Sequence, residues 1–164
     1  MGNFFKVRKF QEEDAEEVSA LIAKTLKTIN IKDYSSEYIE NDIKKLSPSN
    51  IIERSKWMNF YVICDEGIII GCGAIGSYWG KEDESSLFNI FVLPEYQGKG
   101  IGRKIIETLE QDELFLRANR VEIPASITAC EFYRKMGYNY KNGINKIDDE
   151  ELFRLEKFRK SEIL

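Results

Sequence analysis

The spacing of apolar residues changes period several times along the chain, and each change marks a new element. Phe4 to Phe10 (FFKVRKF) alternates loosely with period two, which suits a first strand. The period then becomes helical: Val18, Leu21, Ile22, Thr25, Leu26 and Ile29 make one stripe, and Asp14 followed by Glu17 resembles a capping box at its start. A second helix is predicted from Ser36, with Ile39, Ile43 and Leu46 inward. Ser47-Pro48-Ser49 closes it and starts one more helical turn carrying Ile51 and Ile52.

From Lys56 the period shortens again. WMNFYVIC (Trp57 to Cys64), the turn Asp65-Glu66-Gly67 and IIIGCGAIGSYW (Ile68 to Trp79) read as a hairpin of two largely buried strands. Lys81 to Glu84 is a polar loop, and SSLFNIFVLP (Ser85 to Pro94) is a third strand that ends where proline stops the ladder. After a glycine-rich run, Ile101, Ile105 and Leu109 repeat at spacing four on the inner face of a helix. Arg120 to Ile123 is a short strand, Ile127 to Met136 a helix with Ala129, Phe132 and Met136 inward and Gly137 at its end, and Leu152 to Phe158 a last strand. There is no internal repeat and no linker-like tract. The pattern predicts one α/β domain with a mixed, mainly antiparallel central sheet flanked by helices.

Composition narrows the chemistry. With 164 residues the chain suits about one domain with its own core. A net charge of −4 argues against non-specific nucleic-acid binding, which needs a basic face. The sequence contains no histidine, so neither a His-based triad nor a His-ligated metal is available. Cys64, Cys72 and Cys130 are too few for a four-thiolate zinc site and too scattered for a disulfide framework. MGNFFKVRKF is too short and charged for a secretory signal, and no apolar run reaches about 18 residues. The expectation is a cytoplasmic protein with reduced thiols, no metal and no membrane or nucleic-acid partner.

The stretch PEYQGKGIGRKI (Pro94 to Ile105) breaks local rules: glycines weaken a helix, and Lys99, Arg103 and Lys104 oppose the dipole at its start. Both choices make sense around an anion, which bare backbone N–H groups and the helix terminus would hold. A flexible turn with solvated lysines is the other reading of such a run. Its spacing is not a dinucleotide fingerprint, since Arg103 stands where the third glycine belongs, and there is no P-loop run. Gln97-x-x-Gly100-x-Gly102 does match the Q/R-x-x-G-x-G/A signature of the GNAT superfamily of acetyl-CoA-dependent N-acetyltransferases. LFNIFVLPEY resembles that family's strand before the signature, and IPASITACEFYRKMGYNY resembles its second motif. The resemblance covers about residues 4–158, taken as a single GNAT-like N-acetyltransferase domain.

The resemblance implies a set of roles. Ile90, Phe91 and Val92 would lie along a pantetheine arm through their backbone groups, while Gln97, Gly98, Lys99, Gly100, Ile101, Gly102 and Arg103 would make the pyrophosphate loop. Ser126 stands where many relatives place a cofactor-touching asparagine. Direct transfer of an acetyl group from acetyl-CoA to an amine needs a proton acceptor for the amine and an acid for the leaving thiolate. Tyr133 matches the family's usual acid, and a tyrosine with ordinary pKa about 10 stays protonated at neutral pH; an interfacial core tyrosine is the alternative. Glu122 in VEIP is a candidate base or an outward strand residue, with water as the other proton acceptor. Cys130 lacks a basic neighbour and reads as a small buried residue rather than a nucleophile.

The resemblance implies an acceptor pocket around the first helices and the meander, which makes Tyr34, Tyr38, Trp57, Tyr78 and Trp79 candidate lining. Glu37, Glu40, Asp42, Glu82, Asp83 and Glu84 would draw in a small cationic amine. A protein N-terminus or lysine is the alternative acceptor, and a non-catalytic acyl-CoA-binding module is the alternative from another class. A homodimer is compatible with the sequence.

Overall fold

A computed structural model describes residues 5–159. Phe4, which the predicted first strand included, lies outside the described residues. The strands are β1 (Lys6–Lys9), β2 (Met58–Asp65), β3 (Ile68–Ser77), β4 (Glu84–Val92), β5 (Arg120–Ser126), β6 (Asn139–Tyr140) and β7 (Leu152–Phe158). The helices are α1 (Ala15–Thr28), α2 (Ser36–Lys45), α3 (Pro48–Ser55), α4 (Ile101–Leu109), α5 (Glu113–Leu116) and α6 (Cys130–Lys135). The strands form one sheet in the order β1-β2-β3-β4-β5-β7-β6, antiparallel at every junction except β4–β5.

Each face of the sheet has its own core. The α1 stripe Val18, Leu21, Ile22 and Leu26, with Ile39, Leu46 and Ile51, packs on Phe60, Val62, Cys72 and Ala74. On the other face Ile101, Ile105, Ile106 and Leu109 of α4 pack with Ile70, Ile75, Leu87, Val121 and Ile123. Strand β3 is therefore covered on both sides, which is why its sequence is nearly continuous in apolar and small residues instead of alternating.

Several expectations are corrected. Asp14 and Glu17 do not form a capping box on α1. Asp14 is pulled back to Arg8 (2.8 and 3.0 Å) and the Gln11 amide (2.8 Å), and the Glu17 carboxylate accepts from the Ile69 amide across the domain (2.8 Å). In α6 Ala129, Phe132 and Met136 pack against the core as expected but are only half-buried, and the fully buried residues are Cys130 and Tyr133. The helix starts at Cys130, three residues later than its pattern suggested. Helix α5 and strand β6, four and two residues long, were not anticipated.

The sheet opens between β4 and β5. These strands pair only at Glu84–Arg120, Ser85–Val121 and Ser86–Glu122, and then part. Two features turn β4 away. Its register against β3 slips, so that Cys72–Phe91 and Ala74–Phe88 are both pairs, which leaves one extra residue on β4. Within that bulge Asn89 has φ +53°, a left-handed conformation that Asn tolerates better than most residues. Strand β5 instead stays registered with β7 along its whole length, from Arg120–Phe158 to Ser126–Leu152. The result is a V-shaped gap floored by the edge of β4.

Candidate active site

A cavity of about 1020 Å³ fills the gap and runs from the glycine loop past β4 to α2 and the segment before β7. At one end, Gly98 and Gly100 have φ of 75° and 82°, and open space lies where their Cβ atoms would stand. Only a residue without that atom adopts this turn without strain while leaving its amide bare. Gly100 precedes α4 as its N-cap and offers no side-chain cap, so the first-turn amides of α4 are left for a ligand. A Cβ on Gly102 would meet Phe132 Cζ at 3.1 Å, so the glycine lets α4 and α6 approach at the cavity wall.

The residues expected at this end divide by side chain. Ile90, Phe91, Val92, Gln97, Gly98, Gly100, Ile101, Gly102, Arg103 and Ser126 all line the cavity. Lys99 does not; it is exposed on the outer side of the loop. Gln97 is committed to the turn, its Nε2 donating to Val92 O at 2.8 Å, and its side chain thereby closes the loop against β4. Ser126 Oγ accepts from the Ala129 amide at 3.1 Å and so shapes the entry to α6. Ile101 reaches the cavity from the core, where its side chain is buried.

Tyr133 stands on the wall between the two ends, 6% exposed, and its hydroxyl has no hydrogen-bond partner among the described residues. Burial, with the Cys72 thiol nearby, pushes its pKa above the ordinary tyrosine value, so it keeps its proton. Cys72 itself is pushed up to about 12 by burial and is inert as a nucleophile. Cys130 is raised by burial in the same way. Asn89 also lines the cavity, and its Oδ1 is buried without a partner, a feature invisible in the sequence because it arises from the bulge.

Glu122 is not among the cavity-lining residues. It is 2% exposed and sits behind the wall, where Arg120 Nη2, Lys141 Nζ (3.1 Å) and Arg154 Nη1 (3.8 Å) surround its oxygens. Arg120 also binds Glu156 (2.7 Å) and Glu84 (3.1 Å). The VEIP glutamate is thus the centre of an ion network that pins β5 to β4 and β7, and its carboxylate is committed to cations.

The far end of the cavity is built by two stacked tyrosines, with ring centroids 4.2 Å apart. Tyr34 donates to Glu151 O and accepts from the Ile127 amide, both at 2.8 Å, and Tyr38 donates to Glu150 O at 2.8 Å. They tie the α2 side to the β5–α6 turn and to the segment before β7. Trp57 lines an adjoining side pocket. Tyr78 and Trp79 lie elsewhere: Tyr78 lies under Arg120 and Lys141, and Trp79 is 84% exposed at the β3–β4 turn. Of the six carboxylates expected at the acceptor end, Asp42 alone lines the cavity; Glu84 is drawn to Arg120, while Glu37, Glu40, Glu82 and Asp83 point to solvent. Asp149 and Glu150 take that place from the opposite wall, and no pattern in the sequence marked them. Among the described residues no group of three or more His, Cys, Asp or Glu is arranged to hold a metal, and no helix is long and apolar enough to cross a membrane.

Comparison with known proteins agrees with this geometry. A family model described as an acetyltransferase (GNAT) domain matches residues 56–140, just over half of the chain. An uncharacterized N-acetyltransferase of Chlorobaculum tepidum is 34% identical over 99 residues, covering 60% of each chain. The ribosomal protein bS18-alanine N-acetyltransferase of Haemophilus influenzae is 37% identical over 59 residues, 35% of this chain and 40% of that one. The aligned regions thus span less than two thirds of either relative's length. Among solved structures, PaiA N-acetyltransferase of Thermoplasma acidophilum, in complex with coenzyme A, superposes with a TM-score of 0.80 at 22% identity over 94% of this chain and 99% of that one.

Proposed function

The chain belongs to the GNAT acetyltransferase family, and from that premise we propose that it transfers the acetyl group of acetyl-CoA directly to an amine. The observation that carries this reading is a single continuous cavity with a bare glycine loop at one end, a protonated tyrosine on its wall and a separate polar end beyond. The residues present fit the donor. The left-handed Gly98 and Gly100, the uncapped start of α4 and Arg103 suit a pyrophosphate, and the β4 edge past Ser86, unpaired by β5, suits a pantetheine arm.

Acetyl-CoA supplies an activated thioester. The protein's own part is to orient and to move protons. The β4 edge aligns the thioester against the acceptor end, so that the amine lone pair forms the new C–N bond as the C–S bond breaks. Tyr133 gives its hydroxyl proton to the departing sulfur. The ammonium proton leaves to water before attack, because Glu122 stands off the wall among cations, and the proton that the nitrogen loses as the amide forms returns through water to Tyr133. Tyr133 on the cavity wall favours turnover over a merely acyl-CoA-binding module.

The acceptor is a small amine whose ammonium form is drawn in by Asp149, while Glu150 beside it is engaged by Arg154 at 2.5 Å. A protein N-terminus is the second reading, favoured by the Haemophilus relative, whose name gives an alanine of a ribosomal protein as its acceptor. The domain spans about residues 4–158. Three free, buried cysteines suit a reducing compartment such as the cytoplasm.

Thiol release from acetyl-CoA across small amines and peptides tests the reading. Turnover with an amine is expected. Tight CoA binding without turnover on a broad panel would leave only the binding module.

A further inference from the structure

We infer that the acceptor carries an anionic group besides its amine, and that Lys45 and Arg54 hold this group where the main cavity meets a side pocket. The inference rests on the acyl-transfer reading, because the cavity concerned is the one assigned to the acceptor.

The side pocket has a volume of about 390 Å³ and is lined by Lys45, Asn50, Glu53, Arg54 and Trp57. Lys45 and Arg54 line the main cavity as well, so they stand at the junction of the two. The two come from the last turns of α2 and α3. Neither makes an ion pair or a side-chain hydrogen bond among the described residues, in contrast to Arg154, which lines the cavity, and Arg120, which does not; both are saturated with carboxylates. The carboxylate that lines the side pocket, Glu53, is engaged by Lys56 at 3.4 Å. Asp42 is a weak counter-ion: burial raises its pKa against the pull of Lys45 and Arg54.

Arg54 is half-buried, and burial lowers its pKa, with Asp42 offsetting only part of the effect. A guanidinium removed from water without a partner is unfavourable, and such charge is retained where a ligand brings the counter-charge. The planar fork of an arginine beside a lysine matches a carboxylate or phosphate. Trp57, 53% exposed and edge-on to Phe88 at 5.8 Å, adds an apolar surface beside the cations. An acceptor that spans the cavity therefore places its amine near the thioester, a carbon spacer along Phe88 and Trp57, and its anion at Lys45 and Arg54.

The test compares ω-amino acids of increasing chain length with their primary amides as acceptors, at low and moderate salt. The wild-type protein should favour the carboxylate over its amide by about 10-fold in kcat/KM, through KM, as one charge-assisted contact would give. Salt should erode the preference. Arg54→Gln should bring the ratio near one, Lys45→Gln should lower it, and Arg54→Lys should keep part of it, with unaltered CoA affinity and melting temperature reporting an intact fold. Equal use of acid and amide by the wild type, or a preference that survives both Arg54→Gln and Lys45→Gln, overturns the inference and leaves acyl transfer standing. Failure to acetylate any amine overturns both.

Discussion

As the proposed acid for the leaving thiolate, Tyr133 has two demands to meet. An acid for a thiolate must hold its proton at neutral pH and still release it to sulfur in the transition state. The ordinary tyrosine pKa meets the first demand and burial raises it further, while the absence of a partner on its hydroxyl among the described residues leaves the proton free for the second. Tyr133→Phe keeps the ring and its packing, so kcat should fall by about 10²–10⁴-fold with CoA affinity little changed. A variant within a few-fold of wild type would reduce Tyr133 to a packing residue. Gly102 tests the other end. A side chain there meets the Phe132 ring, and a carboxylate adds charge beside the proposed pyrophosphate loop. Gly102→Glu should abolish CoA binding by calorimetry while circular dichroism reports a folded domain. Retained affinity would show that the loop does not hold the donor. The place of both residues on the cavity wall was legible because each sits in a local motif whose meaning lies in its neighbours. Glu122 was not, since its cations Lys141 and Arg154 arrive from distant parts of the chain and no local pattern announces them.

At the scale of elements, the gap between β4 and β5 makes the site. Hydrophobic period located both strands, since it reports which residues are covered. It says nothing of how far two strands stay paired, and the bulge at Asn89 that separates them is a backbone event with no side-chain signature. Short elements escaped for a related reason: α5 and β6 hold too few residues to display a period. The ion network around Glu122 fixes the closed end of the gap by holding β5 to Glu84 of β4 and to Glu156 and Arg154 of β7 through Arg120 and Glu122. Removing one partner of a buried network leaves uncompensated charge, at a cost of about 3–5 kcal/mol. Glu122→Gln should therefore lower urea stability by that order. Its pH–rate profile below the melting point should keep the wild-type shape, because the proton leaves to water. Loss of the acidic limb with unchanged stability would instead make Glu122 the base.

For the whole molecule, the same burial that prepares Tyr133 acts on other tyrosines. Tyr34, Tyr38, Tyr61 and Tyr138 are also pushed above the ordinary value, with burial the leading cause in each. Below pH about 10 these hydroxyls are protonated in both folded and unfolded chains, and they contribute no pH dependence. Above it the unfolded chain releases protons that the folded chain retains, so the unfolded state binds fewer protons and stability falls as pH rises. Titration of several groups together should make this fall steep, and the net charge of −4 grows more negative in the same direction. Asp14 acts at the other end of the scale. Its hydrogen bonds from Arg8 hold its pKa below the usual value, so its stabilising effect is present above pH about 4 and is lost as the carboxylate takes up a proton. Urea unfolding followed by tyrosine and tryptophan fluorescence should show a plateau through neutral pH, a gradual loss below about 4 and a sharper loss above about 10. A stability that stays flat from pH 9 to 11 would mean that these tyrosines titrate as freely in the folded protein as in the unfolded chain. Tyr133 would then owe its protonation at neutral pH to the ordinary tyrosine pKa of about 10 rather than to burial.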